Sequence, residues 1–577
     1  MSGQESDSPK NKVLVGLPFD TPVVDIEINP YVNVAPKKSS ISVPQHTFTY
    51  SWYRKQISFH CSIHPDKLAT LQCNVCVKLK LPVEESYYCS RCCFINAWKK
   101  HKVSHDQVNG TDRTANGQAG GELRSSGPWH CKDWTKVEWV KVGSSKSYKP
   151  TSDDYGSILK LEVVAVDCST SAQLSPIAVV LENPVINAPT REPRRIIKCS
   201  LSGGNFDTKC HSKKDATFSV LSYNVLAAVF ASRERYSYCP TWALVWEYRR
   251  QKLLNEIIEY DADIICLQEV QSDHFESFFE PELTKRGYSV MYKKKTQLLY
   301  TANKYVSDGC ATFYRSKLFK VIMKHEVEFE KLAENLVNAL PPHLREKYSV
   351  RLAKGNVAHI AVLETLDNER FRGVLQSRIC VANTHIHANT DSPDVKLFQV
   401  VGLVNVLEEI VQSHIPLLIC TDLNSPPLSD PHRFIVSGRC NLVDNEIKEH
   451  LELLHYLKIH HSLPLASAYA SFPVLAGDEK RLQFMDTKAK EPLFTNFTKN
   501  FAGTLDYIFY TENSLRVEGL LELLDCERLG PGLPSSVWPS DHIALMARFG
   551  LKPPPARVGQ RSPRSPLNSW VKTGARQ

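Results

Sequence analysis

In the second half of the chain, short apolar runs repeatedly stop beside one polar residue. Ala262-Asp263-Ile264-Ile265-Cys266-Leu267-Gln268 leads into Glu269, and Ile379-Cys380-Val381-Ala382-Asn383-Thr384 into His385. Leu417-Leu418-Ile419-Cys420-Thr421 leads into Asp422, with Asn424 two residues on. In Thr504-Leu505-Asp506-Tyr507-Ile508-Phe509 the run begins at Asp506, and Ser540-Asp541-His542 directly precedes Ile543-Ala544-Leu545. Such runs predict strands buried on both faces, with the polar residues at their ends. Amphipathic stretches alternate with them. One, Trp242 to Tyr260, carries Leu253, Leu254, Ile257 and Ile258 at helical spacing and is predicted to be a single helix. The alternation predicts an α/β unit over residues 217–550, long enough to bury a large core.

The first half reads differently. Phe48, Tyr50 and Trp52 alternate with small polar residues, as in a half-buried strand. Leu159, Leu161, Val163 and Ala165 form one face of another, and Val137, Trp139 and Lys141 alternate with Glu138, Val140 and Val142. The latter region resembles repeat units of immunoglobulin-like domains. Two readings stand: one small β-sandwich split across 17–58 and 128–184, with residues 59–106 inserted in a loop, or two unrelated β pieces. Residues 1–16 and the Pro-rich, basic tail 551–577 are expected to be disordered. Residues 107–127 are expected to be a flexible connection, and 185–216 a basic linker.

Net charge is +8, from 70 basic and 62 acidic residues, which permits a polyanionic partner without demanding one. The polar start, Met1 to Lys12, predicts no signal peptide, and no apolar run is long enough to predict a membrane span. Of 17 cysteines, six fall between Cys61 and Cys93, a clustering that points to metal binding in a reducing compartment rather than to disulfides.

Those cysteines form short-spaced pairs with histidines: Cys61 with His64, Cys73 with Cys76, Cys89 with Cys92 or Cys93, and His101 with His105. Each pair sets two donors on one turn, and two pairs complete a tetrahedral zinc shell, so eight donors predict two Zn²⁺. Tyr88-Cys89-Ser90, Cys93, Trp98-Lys99-Lys100-His101 and His105 resemble the MYND-type zinc finger. The resemblance implies a crossed pairing, with Cys61, His64, Cys89 and Cys93 on one zinc and Cys73, Cys76, His101 and His105 on the other. Cys92 is then spare, unless Cys89 pairs with Cys92. His64 and His105 stand where that family usually has cysteine. The resemblance implies an adaptor that binds short Pro-containing peptides.

The strand-end residues fit metal-assisted phosphodiester cleavage, which needs cation ligands, a group to handle water, and donors for the phosphorus oxygens. Glu269 is the best cation ligand, and Asp541 can also reach the metal. Asp422 and Asn424, two apart on an extended segment, can handle water and phosphate. His542 needs an orienting acid, for which Asp506 is the candidate. Asn224 can touch the metal site, and His385 can donate to phosphate.

Ser222-Tyr223-Asn224, Leu267-Gln268-Glu269-Val270, Asn383-Thr384-His385, Thr421-Asp422-Leu423-Asn424-Ser425, Leu505-Asp506-Tyr507 and Ser540-Asp541-His542 resemble the endonuclease/exonuclease/phosphatase family. Narrower segments, Tyr236-Ser237-Tyr238-Cys239-Pro240-Thr241-Trp242, Trp246-Glu247-Tyr248-Arg249-Arg250-Gln251 and Asp308-Gly309-Cys310-Ala311-Thr312-Phe313-Tyr314, resemble the carbon catabolite repressor protein 4 deadenylases, in plant-like form. The resemblance implies a four-layer α/β-sandwich nuclease preceded by the small β-sandwich and its two-zinc finger. It also implies one or two Mg²⁺ and 3′-to-5′ removal of poly(A) from mRNA as 5′-AMP. The nearest rivals are a 2′,5′-phosphodiesterase, a nucleotide 2′-phosphatase and a non-catalytic adaptor. Implied partners are poly(A) RNA, a second deadenylase subunit and a NOT-type scaffold, docked through the zinc finger in place of the leucine-rich repeats of yeast and animal members. The implied location is the cytoplasm, including P-bodies, with the nucleus also open. Phe501 matches the aromatic that stacks on a terminal adenine, or is a core residue, and Asn356 matches an asparagine near that base. After His385 the chain reads Ile386-His387-Ala388-Asn389-Thr390, without the Trp and Pro of animal members. Lys293-Lys294-Lys295 meets the RNA backbone or is a solvated loop.

Overall fold

A computed structural model describes residues 12–35, 45–56, 61–67, 69, 71–73, 75–76, 86–109, 139–198, 216–301, 304–366, 370–371, 377–411, 415–440, 450–473 and 479–552. The chain divides into two units between Pro189 and Thr190.

In the first unit, strand His46–Gln56 pairs antiparallel with Ser157–Asp167 along its whole length, from His46↔Asp167 to Gln56↔Ser157. The pieces on either side of the cysteine cluster are therefore neighbours in one sheet, ordered Val140–Gly143, His46–Gln56, Ser157–Asp167, Ile177–Val180. The alternation sets its buried face: Leu159, Leu161, Val163, Ala165 and Trp52 are fully buried. Lys12–Gly16 pairs with Tyr31–Ala35, so the last residues of the stretch expected to be disordered form a strand, and Val13 buries its side chain. Residues 1–11 lie outside the described residues. Between the two halves of the sheet, Leu71–Gln72 pairs with Tyr87–Tyr88, and helix Arg91–Asn109 follows. That helix takes in residues 107–109 of the expected flexible connection, and the rest of 107–127 lies outside the described residues.

The second unit is built on two sheets. One has the order Tyr288–Lys294, Asp308–Arg315, Ile264–Gln271, Thr217–Asn224, Leu545–Leu551, Leu515–Leu521, Ile196–Lys198. The other has the order Phe319–Glu328, Val357–Thr365, Arg378–His385, Leu417–Asp422, Asp506–Thr511, Leu465–Ser467. Side chains of alternate residues meet between them: Val220, Ile264 and Cys266 pack in one cluster with Val381, Leu418 and Ile508. The intervening residues face outward under helices. Leu221, Ile265 and Leu267 join Leu253, Leu254 and Ile257 of helix Trp246–Tyr260. Ala382, Ile419 and Phe509 join Leu397, Val401 and Val404 of helix Pro393–Val411. This helix–sheet–sheet–helix stack is the four-layer α/β-sandwich, and coverage of both sheet faces is why its strands read as unbroken apolar runs.

Three expectations are corrected. Part of the 185–216 linker belongs to the second unit: Ile196–Lys198 is its edge strand. Arg194 is buried there, donating to the carbonyls of Glu522 (2.8 Å) and Ala544 (2.9 Å). The expected helix over Trp242–Tyr260 is two, Thr241–Leu244 and Trp246–Tyr260, parted by Val245 at ψ 146°. At the far end the last strand reaches Leu551, inside the expected tail, while 553–577 lie outside the described residues. Among the described residues no helix is long and apolar enough to cross a membrane.

Candidate catalytic and metal sites

Sheet register brings the strand-end residues together. Thr217–Asn224 and Ile264–Gln271 are parallel, with Asn224 beside Gln268, so both carboxyl ends open on one rim. In the facing sheet the register His385↔Asp422↔Asp506 sets three of the candidates in one row. Ser540, Asp541 and His542 precede the strand that pairs Leu545 with Ser222, on the same rim.

Below the rim the sheets are joined by a buried polar stitch. Gln268 donates to Asn383 Oδ1 at 2.9 Å, and Asn383 Nδ2 donates to the carbonyls of Leu267 (3.2 Å) and Ala311 (3.0 Å). Buried amide donors paired in this way fix one register, because a slip leaves several of them unpaired.

Glu269 sits at a break in the pairing between Leu267 and Val270, with φ 54°. The left-handed backbone is unusual for a non-glycine residue and turns its carboxylate onto the rim. Oε2 accepts from the Ala227 N–H at 3.0 Å and Oε1 from Asn224 Nδ2 at 3.2 Å. Burial, then the charges of Asp308 and Asp541, push the Glu269 pKa up. Asp541 Oδ2 accepts from Tyr236 Oη (2.9 Å) and Asn496 Nδ2 (3.1 Å), while its buried Oδ1 has no protein partner. Carboxylates close enough for two of them to raise the pKa of the third, one with an unused buried oxygen, are hard-oxygen donors of the kind a divalent cation takes. The residues fit such an ion.

Asp422 is fully buried, and Oδ2 accepts from Asn224 Nδ2 at 2.8 Å. Burial and the nearby Asp506 raise its pKa to about 7. His542 donates from Nδ1 to Asp506 Oδ2 at 2.7 Å, and its Nε2 lies 3.7 Å from Asp422 Oδ2. Burial opposes charge on His542, but Asp506, Asp541 and Asp422 outweigh it and hold the pKa well above the ordinary value. The raised pKa favours a charged ring beside Asp506 and Asp422, and Asp422, Asp506 and His542, close enough together to ligate a cation, form a hydrogen-bonded, charge-coupled triad. His385 behaves oppositely. Burial and the charges of Lys295 and His542 drive its pKa well down, leaving a neutral ring with Nε2 3.5 Å from Asp422.

Asn424 departs from the extended geometry expected of it. It has φ 47°, and its amide donates to the Ile386 carbonyl at 2.9 Å instead of lying parallel to Asp422. Asparagine tolerates this conformation at little cost. Asn356 donates to the His385 carbonyl at 2.9 Å and accepts from Gln399. Phe501 is 44% exposed, at the turn of the hairpin Asn496–Phe497/Ala502–Gly503, and is not a core residue.

Several further residues on the rim carry no role in the sequence reading. Tyr236 and Asp308 lie inside segments that carry the family resemblance, which is the signal that could have found them. Lys295, expected with its neighbours to be a backbone contact or a solvated loop, ion-pairs with Asp308 at 2.7 Å, while Lys293 pairs with Glu326 and Glu328. The buried Arg249 also lies inside such a segment, whereas Asn496 gives no pattern in sequence.

In the cysteine cluster, Cys61 Sγ is 3.4 Å from Cys93 Sγ, and His64 Nδ1 lies 3.4–3.7 Å from Cys61, Cys89 and Cys93. Cys76 Sγ is 3.2 Å from His101 Nε2 and 3.1 Å from His105 Nε2, and Cys73 is 3.7 Å from His105. Ligands at roughly 2.0–2.3 Å from a tetrahedral zinc stand roughly 3.3–3.8 Å apart, close to these edges. The two sets are crossed along the chain, and Cys93 is buried where Cys92 is exposed.

Sequence comparison places these features. A family model described as endonuclease/exonuclease/phosphatase matches residues 221–542, and one described as MYND-like zinc finger, mRNA-binding, matches 57–107. Carbon catabolite repressor protein 4 homolog 1 of Arabidopsis thaliana is 42% identical, covering 94% of this chain and 98% of that protein. The CCR4-Not complex 3′-5′-exoribonuclease subunit Ccr4 of Saccharomyces cerevisiae is 33% identical, over 58% of this chain and 38% of that one. Among solved structures, ANGEL2, a 2′,3′-cyclic phosphatase, in complex with adenosine-2′,3′-vanadate matches at 24% identity and TM-score 0.47, covering 63% of this chain and 99% of that one.

Proposed function

Because the chain belongs to the endonuclease/exonuclease/phosphatase family, in its carbon catabolite repressor protein 4 branch, we propose that it is a Mg²⁺-dependent 3′-to-5′ exoribonuclease that shortens mRNA poly(A) tails and releases 5′-AMP. The observation that carries the reading is the Asp422–His542–Asp506 triad beside Glu269 and Asn224 on one rim.

Glu269 and Asp541, with Asp308 beside them, hold the cation. Bound Mg²⁺ supplies charge neutralisation at the phosphoryl oxygens. Asp422, with its raised pKa, takes the proton of the attacking water. The His542 imidazolium, fixed by Asp506, stabilises negative charge growing on phosphorus oxygen, and the neutral His385 donates a hydrogen bond to the same phosphate. Asn224 and Asn424 orient Asp422, the first through its amide and the second through its N–H, 3.0 Å from Asp422 Oδ1. Phe501 stacks on the terminal adenine, and Asn356 shapes the wall opposite through the His385 carbonyl.

The Saccharomyces cerevisiae relative is a CCR4-Not complex subunit, which supports membership of such a complex. In this reading two Zn²⁺, on Cys61, His64, Cys89 and Cys93 and on Cys73, Cys76, His101 and His105, fold the finger. The finger docks the second deadenylase or the NOT-type scaffold, in the cytoplasm. The description of the matching finger family as mRNA-binding favours a second role for it in holding RNA.

The test is a 5′-labelled RNA ending in adenosines against one ending in uridines. Stepwise shortening of the first alone is expected, abolished in Glu269→Ala. Equal shortening of both ends the poly(A) reading, and hydrolysis retained by Glu269→Ala ends the metal assignment. A 2′,5′-linked oligoadenylate in the same assay separates the phosphodiesterase rival.

A further inference from the structure

Between Lys295 and Asp308 the chain leaves the rim as a two-stranded hairpin, Leu299–Thr301 against Lys304–Val306. Side chains alternate across it. Leu299 and Val306 share one face with Thr301 and Lys304, and that face turns to the body: Val306 is buried and Lys304 ion-pairs with Asp273. Tyr300 and Tyr305 are register partners on the other face. They are 63% and 71% exposed, with ring centroids 5.0 Å apart.

The base of the hairpin is clamped to the site. Lys295 pairs with Asp308, Ser307 Oγ lies within hydrogen-bond reach of the carbonyls of Lys295 (3.0 Å) and Gln297 (2.9 Å), sharing its one proton between them, and the Thr296 N–H donates to the Gly355 carbonyl, next to Asn356, at 3.0 Å. Gly355 has no room for a side chain: a Cβ there would stand 2.8 Å from Gln297 N. Tyr305 is three residues from Asp308, at most about 10 Å along an extended strand. Lys294, at the same base, is an exposed cation.

Cross-strand tyrosine pairing stabilises a hairpin on either face, and here the pair lies on the face turned to water. An exposed aromatic pair on a hairpin whose base carries a cation and adjoins the proposed phosphodiester site matches what single-stranded nucleic acid needs, a π-face for each base and charge for the backbone. We propose that Tyr300 and Tyr305 form a stacking platform for bases of the RNA strand on the 5′ side of the bond being cut, so that the enzyme holds a tail rather than only its last nucleotide. The inference rests on the exoribonuclease reading.

The experiment compares the full-length wild type, Tyr300→Ala/Tyr305→Ala and Tyr300→Phe/Tyr305→Phe on an oligoadenylate of about twenty nucleotides and on a trinucleotide. In the Ala variant the ratio of kcat/KM for the long RNA over the short one is expected to fall about tenfold, through KM, and the Phe variant restores it. Anisotropy binding of the long RNA, with divalent ions chelated, should weaken in parallel. A ratio and an affinity equal to wild type overturn the proposal and leave this face to a protein partner. An equal loss on both RNAs with affinity unchanged overturns it too, because the rings then act through the catalytic rim. If wild type cuts neither RNA, the exoribonuclease reading fails, and the binding comparison alone decides the platform.

Discussion

Replacing Arg249 with Met tests whether the rim is held from behind. The Arg249 side chain is fully buried, and its guanidinium donates to the carbonyls of Val225 (3.2 Å), Pro539 (2.8 Å) and Leu226. Those carbonyls flank Asn224 on one loop and Ser540 to His542 on another, so one side chain pins two loops that carry members of the proposed catalytic set. Methionine fills the space but leaves three buried acceptors unpaired, at about 1–3 kcal/mol each. Relief of the guanidinium's own burial, which pulls its pKa down, returns part of that. The net expectation is a loss of about 3–5 kcal/mol in unfolding free energy, the range for breaking a buried charged contact. A loop shift of about 1 Å at the reacting groups costs roughly a hundredfold in rate. Urea unfolding gives the first quantity, and kcat on oligoadenylate at a temperature where the variant stays folded gives the second. Arg249→Lys, which retains the charge with fewer donors, should fall between wild type and Arg249→Met. If Arg249→Met unfolds like wild type and keeps its kcat, the clamp is not what positions the rim.

Asp506→Asn should lower the His542 pKa, because the charge that offsets burial is lost. Wild-type pairing contributes stability fully present below the unfolded pKa of about 6.5 and lost as pH rises through the higher folded value, so the variant loses stability near neutral pH and its alkaline activity limb moves down. Histidine NMR titration reads the shift, and an unmoved His542 refutes the pairing. Cys92→Ser should retain the wild-type zinc content by elemental analysis, whereas Cys93→Ser should lose zinc. The reverse result exchanges the ligands. Gly503→Ala places a Cβ 2.8 Å from Phe501 Cζ and must tilt that ring, so KM for adenosine-ended RNA should rise several-fold with little change in stability. An unchanged KM removes Phe501 from the substrate site.

The layers were legible because burial on both faces of a strand writes an unbroken apolar run, and Ile264 to Leu267 or Leu417 to Cys420 have no other reason to be so apolar. Residues at the ends of those runs, Glu269, His385, Asp422 and Asp506, were legible for the complementary reason: a polar, titratable group at either end of a buried run needs a use. The supporting residues left no trace in the apolar pattern, although Tyr236 and Arg249 lie inside segments that carry the family resemblance. Tyr236, Asn496 and Arg249 reach the rim from loops and a helix distant in sequence, and a tyrosine or arginine in an amphipathic stretch reads as ordinary surface. The break at Val245 escapes detection because apolar spacing continues across it. Asn424 is misread when strand periodicity is carried past Asp422, where the backbone has already turned left-handed.

The residues that escape detection explain how the legible ones are tolerated. Glu269 and Asn424 sit at positive φ, and such conformations cost on the order of 1–3 kcal/mol where the side chain does not suit them. Glu269 also repels Asp308 and Asp541 without a cation between them. A rim under this load relaxes unless something over-determines it. The Gln268–Asn383 stitch fixes the two sheets, Arg249 fixes the flanking loops, and Tyr236 and Asn496 fix Asp541. All of these groups are buried, so water cannot take over their hydrogen bonds cheaply, and the carboxylates are held from moving apart. Under the proposed function, preorganisation for the metal is carried by residues outside the proposed ligand set.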